Sequence, residues 1–151
     1  MGDCFISDNV DDTLITFALA SCVALIVYYP TKKVLGMAHI VLPDSGLGQD
    51  FLGSKPGYFA DKAVTALFTG ICSTYRYCLN QLVVSIYGGA DSINHNDVFL
   101  IGKRNIASVS RILDNHGIPY YDKETGGKVS RTVEADVATG KVRVKMQPLI
   151  I

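Results

Sequence analysis

The sequence predicts one α+β domain spanning residues 1–151, with two helices covering one side of a mostly antiparallel sheet system. Three patterns predict it. Residues 22–42 read as two β-rich runs around a short turn. Residues 60–75 and 101–116 repeat apolar side chains at helical spacing. Residues 118–146 alternate strand-forming runs with glycine turns.

Taken in order, residues 13–17 (TLITF) form a short strand leading into Ala18-Leu19-Ala20-Ser21. Residues 22–29 (CVALIVYY) are β-branched and aromatic, a second strand; residues 30–33 turn the chain, and residues 34–42 (VLGMAHIVL) return. Pro43-Asp44-Ser45-Gly46 then opens a polar, glycine-rich loop that runs to Pro56-Gly57. The first helix carries Ala60, Ala63, Val64, Leu67, Phe68, Ile71, Cys72 and Tyr75 on one stripe. That places Cys72 in the core, with Cys78 packed just beyond. Residues 82–87 (LVVSIY) form a buried strand ending in Gly88-Gly89-Ala90-Asp91. The second helix, 101–116, presents Ile106, Val109, Ile112 and Leu113 on one face and stops at Asn115-His116-Gly117. A strand near 118–121, a turn at 125–127, a strand at 128–137, a Thr139-Gly140 turn and a strand at 141–146 complete the chain.

Composition narrows the function classes. Hydrophobic residues make up 48% and charged residues 19%, which suits a compact core and not a disordered chain. Lys plus Arg total 14 and Asp plus Glu total 14, so nothing points to nucleic acid or an anionic membrane as partner. The start, MGDCFISDNVDD, is acidic and lacks the basic region of a secretory signal. The apolar stretch from Phe17 to Tyr29 is broken by Ser21 and stopped by Pro30, too short to span a bilayer and better read as a buried strand. A cytoplasmic location is expected. Cys4, Cys22, Cys72 and Cys78 form neither a CxxC pair nor a zinc-spaced cluster, so free thiols and no metal are expected.

The hairpin holds the main candidate chemistry. With a turn at 30–33, Tyr29 faces Val34 and Cys22 faces Val41, so His39 points to the same side as Cys22, one diagonal step away. Diagonal neighbours lie about 7–8 Å apart at the backbone, within reach of an imidazole. A free thiol titrates near 8.5 and is weakly ionised at neutral pH; a histidine beside it can hold it as a thiolate–imidazolium pair, a nucleophile for acyl carbon. Cys22 also follows a small-residue loop, Ala20-Ser21, whose N–H groups can stabilise an oxyanion. On the pattern alone, a buried cysteine on a core strand with a satisfied histidine on its neighbour is the favoured reading.

Other candidates carry less. Gly88-Gly89 has no following G-K-[ST] or GxGxxG, so a β-to-helix turn is the simpler reading. His95 and His116 fall in polar surroundings as solvated residues. Asp44 and Asp61 sit where they can assist a site near His39, yet loop and helix-start roles explain them as well.

Ser21-Cys22-Val23-Ala24, Met37-Ala38-His39 and Leu42-Pro43-Asp44-Ser45 resemble the chemoreceptor glutamine deamidase family, CheD. The likeness continues in order through Lys55-Pro56-Gly57-Tyr58, Ala60-Asp61, Gly88-Gly89-Ala90, Ile101-Gly102-Lys103-Arg104-Asn105, Thr125-Gly126-Gly127, Arg131 and Thr139-Gly140. It covers nearly the whole chain from about residue 13, while the first dozen residues match poorly. The resemblance implies an α/β/β layered sandwich that deamidates glutamine side chains on methyl-accepting chemotaxis receptors. It puts the nucleophile on Cys22, the histidine on His39 and a third residue, six positions before the cysteine, on Thr16. Phe17, Leu19, Asp44 and Ser45 become candidate substrate or partner surface. A CheC-type phosphatase is the implied partner, and no cofactor is called for.

The chain departs from that family where it carries Ala18 and Ala20, since glycines are usual in the loop before the Ser-Cys pair. A glycine at positive φ cannot become alanine without strain, so the loop either suits alanine or is reshaped. That departure motivates an alternative: a CheD-like adaptor that binds the phosphatase with little catalysis. A third reading keeps the nucleophile and changes the acyl substrate, to a receptor methyl ester or a glutamine elsewhere.

Overall fold

The computed structural model describes residues 1–47, 55–75, 79–92 and 99–149. Among the described residues ten main elements are present: β1 (Cys4–Ser7), β2 (Thr13–Leu19), β3 (Val23–Tyr29), β4 (Val34–Ile40), α1 (Ala60–Cys72), β5 (Val83–Gly88), α2 (Ile101–Asn115), β6 (Tyr121–Thr125), β7 (Val129–Asp136) and β8 (Val142–Pro148). One sheet runs β1-β4-β3-β5-β6 and a second runs β2-β7-β8. Every pairing is antiparallel except β5 with β6.

The central strand explains the layering. All seven residues of β3 are buried, and alternate side chains serve different cores. Val23, Leu25, Val27 and Tyr29 pack with Leu67 and Ile71 of α1 and Val109 and Leu113 of α2. Ala24, Ile26 and Tyr28 face the second sheet, against Leu19, Val133, Ala135 and Val137. Helices, five-stranded sheet and three-stranded sheet therefore stack in three layers, the expected α+β sandwich.

The hairpin register is the expected one. Tyr29 pairs with Val34 and Ala24 with His39, so the turn is the even-length Pro30–Lys33. Cys72 is half-buried against the helix-side core. Cys78 and His95 lie outside the described residues. No helix among the described residues is long and apolar enough to cross a membrane.

Two elements differ from expectation. The strand placed near 118–121 is instead Tyr121–Thr125, because Ile118 packs into the helix-side core and Pro119 has no N–H to enter a ladder. β1 was not anticipated; its four residues add an edge strand to β4, with Phe5 and Ile6 exposed.

Candidate active site

Thr16 and His39 come from different sheets and meet between them. Thr16, on β2, is 8% exposed, and its Oγ1 lies 2.7 Å from His39 Nδ1 on β4. The other ring nitrogen, Nε2, is buried without a hydrogen-bond partner among the described residues. Cys22 is half-buried one residue before β3 and packs on the inter-sheet core, the face that Ala24 shares with its pair partner His39. Cys22 and His39 thus share one face of the five-stranded sheet, and Thr16 reaches that face from the second sheet.

Backbone contacts fix the loop that carries Cys22. Ala90 N donates to Ala20 O at 2.7 Å, and Gly89 N donates to Cys22 O at 2.8 Å. The Asn105 side-chain amide donates to Ser21 O at 2.9 Å. Carbonyls 20 to 22 are all drawn into the protein, and none of these contacts uses the N–H groups of Ser21 and Cys22. Gly88 and Gly89 form a β-to-loop turn at positive φ, 100° and 65°, and a Cβ on Gly88 would overlap the Cys22 carbonyl oxygen.

Ala18 has φ 51°, in the left-handed region, where the β2–β7 register shifts between Thr16 and Leu19. The loop therefore keeps a conformation suited to glycine and carries alanine in it, at about 1 kcal/mol. Ala20 has no positive φ and needs no glycine. Ala18→Gly is expected to raise stability by about 0.5–1 kcal/mol, read as a higher urea midpoint at unchanged slope. A lower midpoint would contradict the strain.

The shift at Ala18 also corrects one expectation. Leu19 is 0% exposed in the inter-sheet core and offers no surface to a substrate, because the irregularity turns its side chain inward. Phe17 remains exposed, at 69%. Asp44 and Ser45 lie apart from the His39 cleft. The Asp44 carboxylate accepts from Gly46 N, while Ser45 donates to Asp61 through both N–H and Oγ, which accounts for Asp61 as well. Asp44 lines a separate hollow with Pro43, Arg104 and Ser108. His116 is exposed at the end of α2, where its Nδ1 contacts Ile112 O.

An open cleft of about 280 Å³ reaches Thr16 and His39 and is walled by Asp3, Phe5, Ile15 and Phe17. The N-terminal residues build part of that wall and also hold His39: Gly2 N donates to His39 O, and His39 N donates to Asp3 O, both at 2.9 Å. Burial pushes the Cys22 thiol up, only partly offset by the N-terminal ammonium. Burial, joined by the same ammonium, holds His39 down at about 4. Both shifts favour a neutral thiol and a neutral imidazole at rest over the ion pair that the sequence alone suggested. Among the described residues no three His, Cys or acidic side chains are grouped as a metal site requires.

Sequence reasoning quoted two polar residues here only within the family blocks and gave neither a role. Asn105 sits in the buried stripe of α2. Arg131 on β7 is buried, its Nη1 reaching Gly88 O at 3.4 Å. Polar residues on apolar faces were the available signal.

Comparison with known proteins gives a consistent result. A family model described as CheD chemotactic sensory transduction matches residues 41–146. "Probable chemoreceptor glutamine deamidase CheD 1" of Syntrophus aciditrophicus is 36% identical over 145 residues, covering 96% of this chain and 90% of that protein. "Probable chemoreceptor glutamine deamidase CheD" of Syntrophotalea carbinolica is 39% identical, covering 95% and 90%. "Chemoreceptor glutamine deamidase CheD" of Thermotoga maritima is 38% identical over 132 residues, covering 87% and 80%.

Proposed function

The chain belongs to the CheD family, and from that premise we propose that it hydrolyses glutamine side chains of methyl-accepting chemotaxis receptors to glutamate. Cys22 is the nucleophile, His39 the proton carrier and Thr16 the residue that orients the imidazole. The observation that carries this reading is the Thr16–His39 contact between the two sheets, which leaves Nε2 unpartnered on the face of Cys22. If Nδ1–H donates to Thr16 Oγ1, the lone pair sits on Nε2, the atom that must accept a proton.

The thiol proton passes to His39 as sulfur bonds to the carboxamide carbon. The N–H groups of Ser21 and Cys22 face the oxyanion. Collapse breaks the carbon–nitrogen bond, and the imidazolium protonates the departing ammonia. Water, deprotonated by His39, then attacks the thioester, releasing glutamate and restoring the thiol. This chemistry requires no metal or organic cofactor. The apolar cleft rim, Phe5, Ile15 and Phe17, would receive the receptor surface that carries the glutamine. The reading places the protein in the cytoplasm, where receptor signalling domains lie.

The test is incubation with a receptor signalling domain and a search for a mass gain of about one dalton per converted glutamine. No conversion by folded protein would end the enzyme reading. The pH profile adds a specific expectation. His39 accepts the thiol proton only while neutral, so activity should persist to about pH 5 and fall as pH drops through about 4. A fall centred near 6.5 would describe an ordinary imidazole and contradict a buried base.

A second reading, a weakly catalytic adaptor for a CheC-type phosphatase, draws on the same exposed rim and on the strain at Ala18. Binding of such a phosphatase without glutamine conversion would favour it.

A further inference from the structure

Asn105 is fully buried, 0% exposed, on the inward face of α2 that also carries Gly102, Ser108, Val109 and Leu113. Its Nδ2 donates to two carbonyls, Ser21 O and Val41 O, each at 2.9 Å. Those two acceptors lie just beyond the last rung of the β3–β4 ladder, Val23 opposite Ile40. Where backbone pairing stops, one side-chain nitrogen with two protons ties the strands together. Ser21 adjoins Cys22, and Val41 is two residues from His39.

The helix is placed to make this contact. Gly102, one turn earlier, sits so close to β5's end that a Cβ would overlap the Ala90 carbonyl oxygen. Asn105 Oδ1, by contrast, is buried without a partner. An unsatisfied buried carbonyl is costly, so core packing alone does not account for an amide here; the two backbone carbonyls that its Nδ2 serves do.

We infer that Asn105 is a positioning residue for the proposed reaction: its amide clamps the open end of the hairpin and so sets the separation of Cys22 from His39. The inference rests on the deamidase reading for its kinetic consequence. Misplacement by about 1 Å can reduce a rate on the order of a hundredfold, and substrate binding at the rim need not change.

Asn105→Ala is therefore expected to lower kcat about 30–100-fold with KM changed less than about threefold, and to slow iodoacetamide alkylation of Cys22 about tenfold. Ser108→Ala is the comparison. It removes another buried hydrogen bond from α2, to Pro43 O, and should leave kcat within about threefold of wild type despite lost stability. If Asn105→Ala does not fold, Asn105→Thr carries the test: its hydroxyl can serve one carbonyl, so kcat should fall about tenfold at unchanged KM. Near-wild-type kcat and alkylation in the folded Asn105 variant would overturn the inference, as would a matching kcat loss in Ser108→Ala. Wild type that converts no glutamine would end the deamidase reading instead, and Cys22 alkylation would still decide whether Asn105 positions the thiol.

Discussion

Cys22→Ala should abolish conversion of receptor glutamine, with a loss of at least about a thousandfold, while the protein stays folded. The side chain is half-buried and small, so its removal leaves little cavity and separates chemistry from stability. His39→Gln should cost about 10²–10⁴-fold, since the thiol then has no general base and the ammonia no acid. Thr16→Val, which keeps shape and removes only the Oγ1 contact to Nδ1, should cost less, about tenfold. On the proposed mechanism, combining Cys22→Ala with His39→Gln should add nothing to Cys22→Ala alone, because the two groups would act as a unit. Mass spectrometry of the receptor fragment reads all four. Conversion that persists in Cys22→Ala would remove the proposed nucleophile outright.

Gly88→Ala should be the most damaging substitution outside the reacting groups. Its φ of 100° disfavours any side chain, and the new Cβ would overlap the Cys22 carbonyl oxygen, which Gly89 N already holds. Neither backbone can yield cheaply, so a loss of about 3 kcal/mol or more is expected, together with a fall in kcat as the nucleophile loop shifts. Gly126→Ala isolates the conformational part. Gly126 also has positive φ, 76°, but a Cβ there would meet nothing within 4 Å, so about 1 kcal/mol is expected. Urea midpoints of the two variants decide the matter; equal shifts would show that the contact with Cys22 is not the cause.

The relation of Cys22 to His39 was legible because a β-hairpin has period two. An even turn fixes which side chains share a face, and Pro30–Lys33 is even. Both helices were legible from apolar stripes that the cores indeed use. Thr16 was different. Its partner is 23 residues away on another sheet, and no local pattern reports how two sheets stack; only the family resemblance pointed there. Asn105 was quoted among the family blocks, yet the pattern of its helix gave it no role, since a polar residue inside an apolar stripe can be solvated, packed or engaged. Leu19 was misplaced because the strand was ended at Phe17, whereas β2 runs on to Leu19 past the left-handed residue at Ala18. β1 escaped because four half-exposed residues carry no period worth reading.

The N-terminal hydrogen bonds to His39 have a practical side. Met1 forms part of the cleft wall beside the imidazole. A purification tag joined ahead of it would emerge at the cleft mouth, crowd out the substrate and mimic a dead enzyme. The opposite end of the chain leaves from β8, which β7 separates from β2 and its Thr16. A handle placed there leaves the cleft clear, and a side-by-side assay of the two fusions would show how far the first residues govern access.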